Sequence, residues 1–390
     1  MQTPVCEMLG IEFPIVAFSH CRDVVAAVSK AGGLGVLGAT AFTPDQLEIE
    51  LNWIENEIGN KPYGVDVLIP AKYVGSDEGG MTVEKMMDML PEEHRKFVDS
   101  LMTKYDVPEL PEGESWNPFA SDSGAGSGAG KGRGERQMGM THAGAAPLVD
   151  IALAHRIRLI ASALGPPPDD MIERAHEAGI LVAALAGTKQ HAMRHQAKGT
   201  DIIVAQGSEA GGHTGEIGTM VLVPEVVDAV APTPVLAAGG IASGRQMAAA
   251  MALGAQGVWC GSVWLTTQEA ETNPVVKEKF LRASSSDTLR SRSLTGKPAR
   301  QLRSAWTDEW ESPDTPDPLP MPLQPILTAQ AQARIRRASA TPGSGAAELA
   351  NYFVGQVVGS MNQVKPARQV VFDMVEEYIE AAGKLSAGLE

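Results

Sequence analysis

The segment Ile202–Gly218, IIVAQGSEAGGHTGEIG, carries the densest set of reactive and permissive residues in the chain. An apolar run feeds directly into Gln206, Gly207, Glu209, Gly211, Gly212, His213 and Gly215. Glycines let a backbone approach a flat or anionic ligand closely, and an imidazole takes or gives a proton near neutral pH. His213 is therefore the first candidate catalytic group; the alternative is a histidine that bonds a loop or only lines a pocket. Two later turns read as one phosphate site: AAGGIASG (Ala237–Gly244) and WCGS (Trp259–Ser262). Backbone N–H groups at Gly239, Gly240 and Gly261, together with Ser262, suit an anion held at short helix starts. Glycines that merely permit tight turns are the alternative there. Near the N-terminus, Ser19-His20-Cys21-Arg22-Asp23 puts His20 just after an apolar run. His20 is read either as a second acid/base or substrate contact, or as part of a solvated turn with Asp23 capping a helix. His142, in MGMTHAG, is a further candidate.

These residues need elements to hold them. Short apolar runs alternate with longer amphipathic stretches. The runs are Ile15–Phe18, Leu34–Leu37, Tyr63–Val67, Leu159–Ala161, Leu181–Leu185, Ile202–Ala205, Val235–Ala238 and Gly257–Cys260. The helix-like stretches are Asp23–Ala31, Pro44–Ile58, Pro147–His155, Pro168–Ala178, Lys189–Lys198, Pro224–Ala231, Arg245–Leu253 and Asn273–Ala283. Thr43 before Pro44 and Ser243 before Gly244 suit helix starts. Continuous apolar strands separated by helices imply parallel strands covered by helices. Eight repeats fit a closed (β/α)8 TIM barrel. An open doubly wound sheet has fewer repeats and a glycine-rich turn after its first strand, whereas here such turns come late. The barrel places His213, His20 and the glycine turns together at the C-terminal ends of its strands, where barrel chemistry occurs.

The chain has 390 residues, 44% hydrophobic, and a net charge of -15. That length exceeds the roughly 250 residues of one barrel, and the charge argues against nucleic acid, which needs a basic surface. Cys6, Cys21 and Cys260 form neither a disulfide framework nor a zinc-ligand spacing. No signal peptide and no membrane-length apolar run is visible, so a cytoplasmic protein is expected. The barrel is expected in two parts, 1–68 and 144–284. Between them lies an insertion, 69–143, with a helix over Val83–Tyr105 and a mobile Gly/Ser-rich loop over Ser121–Arg136. It is read as a lid, with an uninvolved decoration as the alternative. A C-terminal helical extension, 285–390, is expected to carry helices near Leu327–Arg337, Ala346–Ser360 and Pro366–Leu385. Trp306, Trp310, Tyr352 and Phe353 are read as packing, with aromatic lids over a ring system as the alternative, and Cys260 as a small core residue.

The segments GSEAGGHTG, TPVLAAGGIASG and ALGAQGVWCGSVWL resemble nitronate monooxygenases, and also the related FMN-dependent enoyl reductases. VVAAVSKAGGLGVLGA (Val24–Ala39) and GQVVGSMNQV (Gly355–Val364) fit the same pattern. The resemblance spans both ends of the barrel and omits 69–143. It implies non-covalent FMN with its phosphate at Gly239, Gly240, Gly261 and Ser262, and its ring near Gly207, Gly211 and Gly212. His213 matches the family's proposed base. The implied reaction passes an electron from a nitronate to the flavin, and oxygen then completes conversion to a carbonyl compound and nitrite. Gly187-Thr188 is read as approaching the flavin, and Lys189 as facing solvent.

The sequence departs from that family at two places. Ala17–Asp23 is polar where an apolar Pro-Met turn is usual. Asp66 stands where an asparagine usually faces the flavin; it suits flavin N–H groups but disfavours an anionic reduced ring. Three functions remain open: an FMN-dependent oxidase or monooxygenase of nitronate-like acidic carbon substrates, using O2; an NAD(P)H-dependent FMN reductase of an enoyl thioester or quinone; and a non-redox flavin- or phosphate-binding barrel. Each takes a small-molecule substrate or ligand rather than nucleic acid or membrane.

Overall fold

The computed structural model describes residues 1–69, 83–111 and 142–388. Every apolar run expected to be a strand is one: β1 (Ile15–Ser19), β2 (Leu34–Gly38), β3 (Tyr63–Leu68), β4 (Leu159–Ala163), β5 (Leu181–Ala186) and β6 (Ile202–Gln206). After a two-residue β7 (Gly212–His213) come β8 (Val235–Ala238) and β9 (Gly257–Cys260). All except β7 pair in parallel in the order β1-β2-β3-β4-β5-β6-β8-β9. Trp259 of β9 lies opposite Val16 of β1, which closes the (β/α)8 barrel.

Alternation along each strand sorts the side chains. Val16, Val36, Ala161, Ala183, Val204 and Leu236 share one inner core. The first helix, Pro4–Leu9, plugs that core with Val5, Cys6 and Leu9. It starts at Thr3, whose hydroxyl accepts the Cys6 N–H, and stops at Gly10 in the left-handed region, φ 72°. Such a short helix escapes periodicity arguments.

The outer helices fall close to their expected positions. Thr43 and Ser243 cap their helices as expected, Thr43 in a full capping box with Gln46. The helices His142–Ala154 and Thr219–Val230 begin more than a turn before Pro147 and Pro224 and carry those prolines inside. Asn273–Ala283 is helical as Pro274–Arg282, but Val276 and Phe280 pack away from the barrel. The place in the outer ring between Gly244–Ala252 and Arg22–Lys30 is filled by Ala367–Ala387, through Val370, Val371 and Met374. The chain thus returns to the barrel at its end.

Between those points it builds a second core. Leu101 and Met102 pack with Trp306, Trp310, Ile326 and Leu327, which gives the two tryptophans the packing role expected of them. The expected helix Val83–Tyr105 is split into Val83–Asp88 and Glu92–Lys104 at Pro91, which sits as the second helix's cap residue. The expected helix Ala346–Ser360 is helical at its two ends, as an α-helix over Ala346–Leu349 and a 3-10 turn over Gln356–Ser360, and is interrupted between them. The next residues are extended because they are drawn into other pairings: Leu302 N–H donates to the Tyr352 carbonyl at 3.1 Å, and Gly355 N–H to Ser262 Oγ at 2.8 Å. A polar hairpin, β10 (Thr288–Ser291) and β11 (Ala299–Leu302), joins β7 in a three-stranded sheet of order β10-β11-β7. The Ser121–Arg136 loop lies outside the described residues, and so does the side chain of His142.

Candidate functional site

A cavity of about 780 Å³ opens at the C-terminal ends of the barrel strands. Its floor is aromatic, with Phe18 stacked on Trp259 at 6.4 Å between ring centres. One face of helix Leu323–Ser339 roofs it through Pro325, Thr328, Ala329, Gln332 and Arg336, spaced three or four residues apart. Barrels place ligands at this end, and a volume of this size suits a cofactor with a small substrate.

His213 borders the cavity, half-buried, from a position that the hairpin fixes. It lies opposite Ala299 in the β7–β11 ladder. Arg290 Nη2 donates to the Thr214 carbonyl at 3.2 Å, and Arg300 Nε to the Ser208 carbonyl at 2.9 Å. The ring Nδ1 lies 3.3 Å from the Pro298 carbonyl oxygen. A carbonyl only accepts, so this bond puts the proton on Nδ1 and leaves Nε2 with its lone pair. Desolvation by the surrounding protein pushes the imidazole pKa down to about 4, and the Lys297 charge pushes the same way. The Pro298 bond opposes this. The ring is therefore neutral at physiological pH, in the form that accepts a proton.

His20 also lines the cavity. Its Nδ1 lies 3.1 Å from the Gly38 carbonyl, and its ring meets Phe18 edge-on at 5.1 Å. Gly38 is required there, because a Cβ would come within 2.6 Å of the imidazole. Burial lowers the His20 pKa from its usual value. Asp66, in the C-terminal half of β3, is buried and reaches the cavity. Burial raises its carboxyl well above the usual range, and no hydrogen-bond partner for it is found among the described residues.

The two glycine turns lie side by side because β8 and β9 pair. Gly239 and Gly240 have φ of 94° and 72°, a region that side chains avoid. Both line the cavity, as do Gly261 and Ser262. Thr219 sits behind the first turn. Its N–H donates to Glu209 Oε2 at 2.9 Å, and its hydroxyl lies 2.9 Å from both that carboxylate and the Gly239 carbonyl. Ser262 Oγ accepts from Gly355 N–H, so the hydroxyl hydrogen is left to donate elsewhere. Gly207 does not border the cavity; a Cβ there would strike Thr219 Oγ1 at 2.0 Å, so it makes room for the Glu209–Thr219 contact. Gly211 lines the wall, and a Cβ there would press on Val354 and Gly355 at 2.9 Å. At Gly212 a Cβ would meet nothing within 4 Å. Gly187 lines the cavity against Gly215, whereas Thr188 caps the next helix by accepting the His191 N–H. Lys189 is not among the lining residues, and Cys260 is a buried wall residue whose thiol burial pushes up to about 12.

Apart from Gly207 and Thr188, and from His142, whose side chain lies outside the described residues, the fold gathers the candidate residues around one cavity. Sequence reasoning missed Arg194 and His195 on helix Lys189–Ala197, and Gln332, Asn351 and Phe353 from the C-terminal segment. Phe353 stands 6.3 Å from the His213 ring. A position shortly after a barrel strand was the available signal for Arg194 and His195, and nothing local marked Gln332 or Asn351; Tyr352 and Phe353, read as packing, instead line the cavity, where their alternative as aromatic lids puts them. The cavity fits a flavin. It offers a flat apolar floor, an unpartnered carboxyl for a polar ring edge, open wall at Gly212, and paired glycine turns for an anionic tail.

A family model described as nitronate monooxygenase matches residues 2–377. A candidate monooxygenase of Mycobacterium tuberculosis is 63% identical, over 99% of this chain and 98% of its own. Among solved structures, the nitroalkane oxidase of Streptomyces ansochromogenes superposes with TM-score 0.77 at 27% identity, covering 98% of this chain and 99% of that one. FabK of Thermotoga maritima superposes with TM-score 0.70 at 27% identity, covering 99% of each chain. The chain belongs to the nitronate monooxygenase family, and it is an oxidoreductase enzyme of the flavin-dependent type found in that family.

Proposed function

We propose that the protein binds FMN and oxidises a nitronate, or a similar acidic carbon substrate, with O2. The observation that carries this reading is that His213, Asp66 and the two glycine turns border one cavity. Gly239, Gly240, Gly261 and Ser262 would hold the phosphate, the last through its spare hydroxyl hydrogen. Asp66, whose protonated form burial favours, would in that form donate to an acceptor on the ring edge. Gly187, Gly211 and Gly212 would leave the ring room, and Gly207 would act through the Glu209–Thr219 contact. When bound, FMN supplies the electron-transfer chemistry.

His213 would accept the substrate's α-proton at Nε2. The burial that keeps it unprotonated also makes it a weak base. A substrate arriving already ionised is therefore favoured, with abstraction from a neutral nitroalkane as the slower entry. His20, neutral and next to Phe18, would contact the substrate or relay its proton.

The likeness to FabK of Thermotoga maritima favours a second reading, in which NAD(P)H reduces the flavin and an enoyl thioester or quinone takes the electrons. Anaerobic stopped-flow mixing separates the two. Rapid flavin bleaching by a nitronate, with little response to NADH or NADPH, is the expected result. Fast bleaching by NAD(P)H alone would replace the first reading with the second. The cofactor claim is tested by adding FMN to flavin-free protein, which should bind one equivalent.

A further inference from the structure

Outside the cavity, three side chains of metal-binding type converge just beyond β1. Cys21 is the cap residue of helix Arg22–Lys30, Asp23 lies in that helix's first turn, and Glu271 belongs to the loop before helix Pro274–Arg282. Cys21 Sγ, a carboxylate oxygen of Asp23 and one of Glu271 all lie within 4.8 Å of one another. Tetrahedral zinc holds thiolate and carboxylate ligand atoms roughly 3.5 Å apart, so small side-chain rotations close the trio on one ion. None of the three lines the cavity. Cys21 is buried and Glu271 exposed, which leaves an entry path from solvent.

A fourth group points to the same place from the neighbouring helix. Glu50, on helix Pro44–Ile58, is 7% exposed. Its Oε1 lies 3.3 Å from Arg22 Nη1, whereas its buried Oε2 has no partner among the described residues. The same guanidinium has its Nε 3.9 Å from Asp23 Oδ2, so Glu50 and Asp23 flank one side chain. Burial raises the Glu50 carboxyl, Arg22 lowers it, and the charges of Glu271 and Asp23 raise it again. A buried carboxylate oxygen without a hydrogen bond is costly, and neighbouring acids add to the cost. The nearby cations leave that cost standing. Arg22 lies over the Trp53 ring at 4.5 Å and meets Glu50 through Oε1 alone. Lys277 Nζ is committed to the Thr267 and Ala270 carbonyls at 2.9 and 2.8 Å.

We propose that Cys21, Asp23 and Glu271 bind a divalent cation of the zinc type, with the buried Glu50 Oε2 facing the ion's remaining position. A thiolate ligand favours zinc over magnesium or calcium, and two carboxylates disfavour monovalent copper. Cys21 Sγ donates to the Glu269 carbonyl at 3.1 Å, and burial pushes the thiol up to about 11. The ion therefore displaces that proton to solvent as the sulfur–metal bond forms. Bound there, it clasps the turn that carries His20 to the loop before helix Pro274–Arg282. No local spacing in the sequence shows this site, because Glu271 lies far along the chain from the other two ligands. The site is independent of the function proposed for the cavity.

The test is calorimetric titration of tag-free, chelator-washed, flavin-loaded protein with zinc chloride, beside Cys21→Ser and Glu271→Gln. Glu271 is exposed and the serine is close in size to the cysteine, and circular dichroism checks that each variant folds. The wild type should bind one equivalent. Each variant should bind zinc about tenfold or more weakly, since even loss of an outer-shell partner costs that much. Cobalt(II) should give the near-ultraviolet charge-transfer absorption of a thiolate ligand in the difference spectrum of the wild type, and none in Cys21→Ser. Should the serine variant fail to fold, Glu271→Gln and the cobalt spectrum of the wild type decide the matter. A wild type that takes up no zinc, or a cobalt complex without the thiolate band, would overturn the site. Zinc held equally well by the wild type and Glu271→Gln is an adventitious ion only, and overturns it too.

Discussion

A base with a pKa near 4 has a distinctive pH signature. At pH 5.5 an ordinary histidine, with a pKa of about 6.5, is only about 9% neutral, whereas one at about 4 is about 97% neutral. Only the neutral ring accepts a proton, so lowering the pH from 7.5 to 5.5 should leave proton abstraction almost unchanged. An unperturbed histidine would lose about tenfold over the same interval. The assay is the anaerobic rate of flavin reduction by a neutral nitroalkane at low concentration, which reports the free enzyme's ionisation. The wild type should give a flat profile to about pH 5 and then a fall centred near 4. His213→Asn should lower the rate by about a hundredfold or more at every pH, the usual contribution of a general base. It should cost far less with the preformed nitronate, which needs no deprotonation. A profile falling with a midpoint near 6.5, or an equal loss with both substrates, would refute the reasoning about His213.

Other perturbations follow from the same geometry. Asp66 has a raised pKa in the folded protein, so its contribution favours folding below the unfolded value and turns against it as pH rises. Asp66→Asn should therefore raise the melting temperature of the flavin-free protein at pH 7, with the difference vanishing near pH 4, as read by thermal melts. Gly239→Ala puts a Cβ in the left-handed region and 2.9 Å from the Gly207 carbonyl. It should cost about 1–3 kcal/mol in urea unfolding and release the flavin on dialysis. Glu209→Ala strips the carboxylate from Thr219 N–H and Oγ1 and should cost about 1–3 kcal/mol. Because Thr219 also supports the Gly239 carbonyl, the FMN dissociation constant should rise in the same variant.

The barrel was legible because burial on both faces writes itself as continuous apolar runs, and β8 and β9 fall at their expected residues. The glycine turns were legible for the same reason, each ending a readable strand. What the sequence hid was set by partners far along the chain. Thr288–Ser291 and Ala299–Leu302 are too short and polar to read as strands, yet they hold His213 through Ala299 and place Pro298 at its Nδ1. Asn351–Phe353 reads as helix locally and becomes extended because Leu302 and Ser262 bond its backbone and that of Gly355. Ala367–Ala387 read as part of an appended region, although its apolar face completes the barrel's outer ring. The role of Gly207 as space for Thr219 was likewise invisible without the packing.

The central claim is that a flavin nucleotide's phosphate sits between the turns after β8 and β9 while its ring lies beside His213 and Asp66. A crystal structure of the protein grown with FMN tests this directly. The account predicts phosphate oxygens within hydrogen-bonding distance of backbone N–H groups at 239–240 and 261–262, with Nε2 of His213 facing the space above the ring. Phosphate density bound at any other loop, or an imidazole turned away from the ring, would contradict it.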